Sequence, residues 1–139
     1  MLAQGYDPMD WYPSRNIHIA KHPIISNIQQ HIESQIRVTM KISDAELQTW
    51  PIGSSSRLHI HNKSYIPDSE REHGDFNSMF YLNDDFEGGE FFTSTGLTIK
   101  PQKNRLTFFD GGKIHHGVNT VSKNHRHTII LWWQDTRFY

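Results

Sequence analysis

The chain contains no cysteine, and that absence removes disulfides, thiolate zinc sites and cysteine nucleophiles together. It carries no charge excess of either sign. A formal net charge of -1 at pH 7 gives no global field to steer the protein onto nucleic acid or an anionic membrane, so neither partner is expected. No apolar run approaches the ~20 residues that a membrane span needs. The start Met1-Leu2-Ala3-Gln4-Gly5 lacks the pattern of a secretory leader. A soluble, intracellular (cytoplasmic) protein is therefore the expectation. At 139 residues the chain has room for one real core and no second, so residues 1–139 are read as a single domain. Its oligomeric state is left open.

What the chain has in excess is histidine. There are ten, scattered rather than consecutive, so a purification tag does not account for them. Neutral imidazole is the commonest metal ligand in proteins.

Along the chain, residues 1 to 22 mix aromatic and turn residues (Tyr6, Pro8, Trp11, Tyr12, Pro13) and read as an irregular arm. Ile24, Ile28, Ile32 and Ile36 recur at intervals of four, one apolar stripe of a helix that opens near Pro23 and covers a sheet. After Val38 the period changes. Short β-type runs alternate with turn signals over 46–50, 57–62, 78–82, 90–94, 97–100, 105–109, 116–121 and 128–133. Gly88-Gly89 and Ser94-Thr95-Gly96 read as turns, and Lys103-Asn104 as a tight connection in which Asn accepts a left-handed backbone. About eight short strands after one helix predict a mainly β fold, a double-sheet jelly roll or a barrel. The stretch 62–77 is long, charged and poor in β-formers, which predicts a functional lid or a disordered loop.

The chemistry concentrates at His59-Ile60-His61, His116 and Arg126. On a strand the period of two turns His59 and His61 to one face, and His116 from a distant strand can bring a third imidazole. Arg126 lies ten residues on, where a planar fork can grip a carboxylate. A His-x-His alone is more often a solvated or packed pair, and a lone Arg a surface charge. Strand alternation turns His115, His125 and His127 away from the site. The run Asp84-Asp85-Phe86-Glu87 reads as a solvated turn. Phe91-Phe92 and Phe108-Phe109 read as core and sheet-face residues. Of Trp132 and Trp133, one is expected inside and the other against the helix or the pocket.

In their order and spacing these segments resemble the 2-oxoglutarate and Fe(II)-dependent dioxygenases, specifically the prolyl 4-hydroxylase-like branch. The resemblance runs through Glu46-Leu47-Gln48-Thr49-Trp50-Pro51-Ile52-Gly53, His59-Ile60-His61, Phe80-Tyr81-Leu82-Asn83-Asp84, Gly88-Gly89-Glu90-Phe91, Ile99-Lys100-Pro101, Leu106-Thr107-Phe108-Phe109 and His116-Gly117-Val118-Asn119-Thr120-Val121 to Arg126. It spans roughly residues 45 to 134. It implies a double-stranded β-helix (jelly roll) with an N-terminal covering helix, and metal ligands His59, His61 and His116. It also implies a 2-oxoglutarate clamp made by Arg126 and the Thr128 hydroxyl. The cofactors implied are Fe(II), 2-oxoglutarate and O2, with ascorbate as reductant. The reaction implied is hydroxylation of a C–H bond in a small-molecule or peptide substrate, with peptidyl proline nominated, releasing succinate and carbon dioxide. The chain's small size resembles compact microbial or viral members.

Two departures stand out. Ser56 sits where many prolyl hydroxylases carry a tyrosine near the cosubstrate. More consequential, His61 occupies the position of the family's carboxylate ligand. That removes a negative charge from the metal's shell and favours imidazole-loving metals such as zinc, nickel and copper. A loop carboxylate, Asp68 or Asp75, is the alternative third ligand. A cupin-like metal jelly roll with non-oxidative chemistry, and an inactive binding module, remain the competing readings.

Overall fold

The computed structural model describes residues 15–35, 40–60 and 76–135. Its elements, in chain order, are β1 (Arg15–His18), α1 (Pro23–Gln35), β2 (Met40–Trp50), β3 (Ser56–His59), β4 (Phe76–Tyr81), β5 (Glu87–Gly88), β6 (Phe91–Thr93), β7 (Thr98–Ile99), β8 (Leu106–Asp110), β9 (His116–Val118), β10 (Val121–Ser122) and β11 (Arg126–Asp135). One sheet runs β1-β2-β11-β4-β8 and a second runs β3-β9-β6-β7, while β5 and β10 pair separately. The strand pairings are antiparallel. This is the jelly-roll expectation, met.

Alternation along β11 divides the molecule's labour. Ile129, Leu131 and Trp133 join Ala45 in a cluster with Ile25 and Ile28 of α1, so this face meets the helix. Arg126 and Thr128, one residue out of phase, are buried on the other face. Beside β11, strand β2 changes phase once. Its pairing steps from Trp132↔Asp44 to Trp133↔Ile42, which leaves Ser43 as an extra residue, a β-bulge. The bulge explains why Leu47, Ala45, Ile42 and Met40 all pack on the helix side despite the odd-to-even switch in number. The Ser43 hydroxyl donates to the Trp132 carbonyl at 3.2 Å.

Helix α1 opens as its sequence dictates. Pro23 takes the first helical position, where a missing N–H costs nothing, and the Ile24 N–H donates to His22 Nδ1 at 3.1 Å. Ile25 and Ile28 are buried, with Ile24 and Ile32 partly so; each fully buried isoleucine contributes roughly 1.5–3 kcal/mol. The stripe is thus wider than a strict spacing of four, and Ile36 lies outside the described residues. The Gln29 amide ties the helix to β2, donating to the Met40 carbonyl at 3.2 Å and accepting from the Ile42 N–H at 2.9 Å.

Several expectations need correction. Residues Arg15–His18, read as part of an irregular arm, form β1 by pairing with 46–49. Phe76 and Asn77, read as the end of a loop, begin β4, and Asn77 is fully buried. The single run 116–121 breaks into β9 and β10, because Asn119 and Thr120 turn to meet the Gly89 N–H through their carbonyls. Gly88 supplies the matching turn at φ +70, where a Cβ would stand 1.9 Å from the Thr120 carbonyl oxygen. Phe108 is a sheet-face residue, half exposed and stacked on Phe76. Trp133 packs beneath the helix, and its indole N–H donates to Ser78 Oγ at 2.6 Å. Asn104 adopts φ 69, as its turn chemistry predicts.

Candidate functional site

His59 and His116 are direct cross-strand partners on β3 and β9, which sets their side chains on one face. Both are buried, and their ring centroids stand 4.5 Å apart. Each ring is anchored in the same way. His59 Nδ1 lies 2.8 Å from the Arg57 carbonyl and His116 Nδ1 lies 2.7 Å from the Ile114 carbonyl. A carbonyl only accepts, so each Nδ1 carries the proton and the lone pair sits on Nε2, the arrangement a metal-binding imidazole needs. Ser56 Oγ adds a contact to His59 Nδ1 at 3.2 Å. Phe91 and Phe109 wall the His116 ring at centroid distances of 5.5 and 4.8 Å. Thr93 stands opposite His116 on β6, extending the row.

The third ligand expected from the sequence, His61, lies outside the described residues, as do Asp68, Asp75 and residues 62–75 of the expected lid. Among the described residues no group of three His, Asp or Glu side chains is close enough to hold a metal ion. The geometry therefore brings together two of the three expected ligands. His115 and His125 are exposed, and His127 Nδ1 pairs with the Thr49 hydroxyl at 3.1 Å, so these histidines stand apart from the pair, as alternation requires.

Arg126 is fully buried. Its Nε donates to the Gly89 carbonyl at 3.2 Å, and Nη2 reaches only the Met79 sulfur at 3.5 Å. Trp50 and Tyr81 each present a ring 5.3 Å from the guanidinium carbon. Burial pushes the guanidinium below its ordinary pKa; the neighbouring Tyr81 hydroxyl pulls partly the other way, without reaching ordinary hydrogen-bond geometry. The group still carries its charge at any working pH. Among the described residues, four buried side-chain polar atoms lack a partner: Arg126 Nη1, Thr128 Oγ1, Tyr81 OH and Glu90 Oε2. The first three meet in one place, because Thr128 follows Arg126 by two on β11 and is paired with Tyr81 on β4. A buried cation beside two hydroxyls without partners is a donor set that a carboxylate would satisfy.

Tyr81, Trp50 and Gln48 escaped the site reading of the sequence. The signal was present in the pairing rather than in a motif: Arg126 lies opposite Trp50, and Thr128 opposite Gln48. Once Arg126 is placed on a strand, its cross-strand neighbours follow.

Fe(II) chelated by a 2-oxo acid is tested well by this donor set. Two imidazoles with their lone pairs on Nε2 suit the metal, and the orphaned donors around Arg126 suit the acid's far carboxylate. Two antiparallel sheets with these groups on their inner faces define a jelly-roll oxygenase. The model of the 2OG-Fe(II) oxygenase superfamily matches residues 47–134, more than half of the chain, and the protein belongs to that superfamily. Its cofactors are accordingly Fe(II) and 2-oxoglutarate with O2.

The chain is similar to human prolyl 3-hydroxylase 2, 42% identical over 66 residues, which cover 42% of this chain and 9% of that protein. It thus spans only a small fraction of the length of the curated relatives it matches. Its fold is similar to that of the viral collagen prolyl hydroxylase of Paramecium Bursaria Chlorella virus-1 in a 2OG complex (TM-score 0.66, 18% identity, covering 86% of this chain and 78% of that one). It is also similar to a Pseudomonas putida prolyl-4-hydroxylase (TM-score 0.64, 17% identity, covering 95% and 78%). Among the described residues no helix is long and apolar enough to cross a membrane.

Proposed function

We propose that this chain hydroxylates peptidyl proline, using 2-oxoglutarate and O2 at an iron held by His59, His116 and His61. The observation that carries the reading is Arg126: a fully buried guanidinium whose Nη1, like the Thr128 hydroxyl, has no partner among the described residues. In this role Arg126 and Thr128 bind the distal carboxylate of 2-oxoglutarate, and the Trp50 and Tyr81 rings exclude water around it. His59 and His116 present Nε2 to the metal, each held in its tautomer by a backbone carbonyl. When bound, iron with 2-oxoglutarate and O2 supplies an oxidant for a C–H bond, and the acid leaves as succinate and carbon dioxide. Ascorbate is the reductant that would restore idle iron. Proline as the target rests on the likeness to prolyl hydroxylases, and the peptide class is favoured over free small molecules on the same ground.

His61 in the carboxylate position favours one rival, a jelly roll that binds metal and acid without turning over. A single experiment separates the two. Protein loaded anaerobically with Fe(II) and 2-oxoglutarate is exposed to O2 with proline-containing peptides, and succinate and hydroxyproline are measured. Binding of 2-oxoglutarate with no succinate above the iron-only background would establish the inactive module.

A further inference from the structure

We propose that the groove between the edge strands β7 and β8 is a docking site for an extended peptide with an apolar residue followed by an acidic one. This rests on the reading of the chain as an oxygenase acting on polypeptide, and it names the substrate features that site would select. The groove is a cavity of about 390 Å³ lined by Phe91, Leu97, Ile99, Leu106, Phe109 and Ile114, with Arg105 as the charged residue of its lining. Three features give it an occupant.

The first is the backbone. Among the described residues β8 is the last strand of one sheet and β7 the last of the other, so among these residues each leaves one strand edge unpaired. Such an edge takes an extended chain through main-chain hydrogen bonds, while alternate side chains drop into pockets beside it. The second is continuity with the histidine pair. Phe91 and Phe109, which form the inner wall, are the same rings that stand 5.5 and 4.8 Å from His116. A peptide residue in the groove is therefore one side chain away from the metal's neighbourhood. Leu97 and Ile114 on the rim are 54% and 36% exposed, apolar surface that a partner would cover.

The third is charge. Lys100, Lys103 and Arg105 crowd the turn between β7 and β8. None of them is in a salt bridge among the described residues, where the ion pairs are His18–Asp44 and Lys123–Glu87. Arg105 is braced by the Lys100 carbonyl at 2.6 Å and Gln102 Oε1 at 2.7 Å, which holds the cation in place beside the groove. A carboxylate on the peptide meets this cation, and a lysine there is repelled.

The test uses nine-residue peptides with a central proline, carrying Leu and Glu on one side of it, N-terminal or C-terminal. They are compared with peptides in which Ser and Lys replace Leu and Glu. Binding is measured by fluorescence anisotropy on the full chain, both metal-free and loaded anaerobically with Fe(II) and 2-oxoglutarate. One Leu/Glu peptide is expected to bind at least tenfold tighter than its Ser/Lys counterpart. Leu97→Trp, at an exposed position that tolerates bulk, and Leu97→Lys, which sets a charge on the apolar rim, should each erase that gain, and Arg105→Glu should invert the Glu-over-Lys preference. Affinity for 2-oxoglutarate should stay unchanged in all three. Equal binding of the peptides, or full affinity in both Leu97 variants, overturns the proposal. If 2-oxoglutarate fails to bind while the peptide preference holds in metal-free protein, the oxygenase reading fails and the groove stands. If 2-oxoglutarate binds and no peptide does, the reverse is true.

Discussion

Arg126 and Trp50 face each other across the β2–β11 pair, the guanidinium carbon 5.3 Å from the indole ring. A desolvated cation–π contact of this kind contributes about 2 kcal/mol. That does not offset several kcal/mol of lost hydration for a buried ion. Packing and the Gly89 carbonyl keep the cation in place, and in the proposed function an arriving dianion would recover much of the cost.

Arg126→Ala is therefore expected to weaken 2-oxoglutarate by at least tenfold, in line with about 2–5 kcal/mol for losing one partner of a buried charge pair. Metal binding should survive. Thermal shifts give the cleanest readout: at equal 2-oxoglutarate concentration the rise in Tm should be clearly smaller for Arg126→Ala than for the parent protein.

Gly89 offers a second route to the same pocket. It sits at φ +67, and a Cβ there would lie 3.0 Å from Arg126 Cδ and 2.9 Å from Phe86 Cε2. Gly89→Ala should push the arginine aside and reduce 2-oxoglutarate affinity by roughly tenfold, about 1.4 kcal/mol. The left-handed alanine should also cost about 1–2 kcal/mol of stability. Unchanged calorimetric affinity for 2-oxoglutarate would show that Arg126 is free to shift without loss.

Metal affinity should fall as pH drops through the ~6.5 reference value of imidazole, because protons compete for the nitrogens that bind the metal. The steepness carries information. An all-histidine shell displaces about three protons and a shell of two histidines and a carboxylate about two, so the slope of log affinity against pH well below 6.5 approaches those values. Zinc titrations across that range separate the cases, and an affinity flat with pH would remove imidazole from the site.

His61→Ala should lose most of its metal, whereas His61→Asp should keep metal and 2-oxoglutarate and shift its preference toward iron through an anionic oxygen donor. Metal content by mass spectrometry after equilibration with iron and zinc gives both answers. Full occupancy in His61→Ala would transfer the ligand role to Asp68 or Asp75.

On the helix-facing side, Leu131 is fully buried in the cluster with Ile25 and Ile28. Leu131→Ala should lower unfolding stability by about 2–5 kcal/mol. Denaturant melts measure the loss, and 2-oxoglutarate affinity in the folded protein should change little.

Much of this was legible in the sequence where a period or a spacing expresses a physical constraint. The isoleucines of α1, the left-handed Asn104 and the opposed faces around Arg126 are of that kind. What stayed hidden depends on partners distant in the chain. β1 is strand only because 46–49 pair with it, and nothing in Arg15-Asn16-Ile17-His18 declares that. The Ser43 bulge disguises the apolar row of β2, since its helix-facing residues change parity halfway. Tyr81 joins Arg126 and Thr128 by pairing with Thr128, a relation that exists only once β4 and β11 lie side by side.

The one-residue phase difference on β11 has a consequence for how this protein can change. Inserting or deleting a single residue just after Thr128 would turn Leu131 and Ile129 toward the arginine pocket, or send the pocket's residues to the helix. Core and site would fail together, with no sequence left to repair one without the other. Length variation should therefore be barred from the middle of this strand and confined to turns such as 100–105, where register is not at stake. On the proposed function, the residues that would hold the acid are locked to the strand that holds the protein folded, while the turns beyond it are free to lengthen.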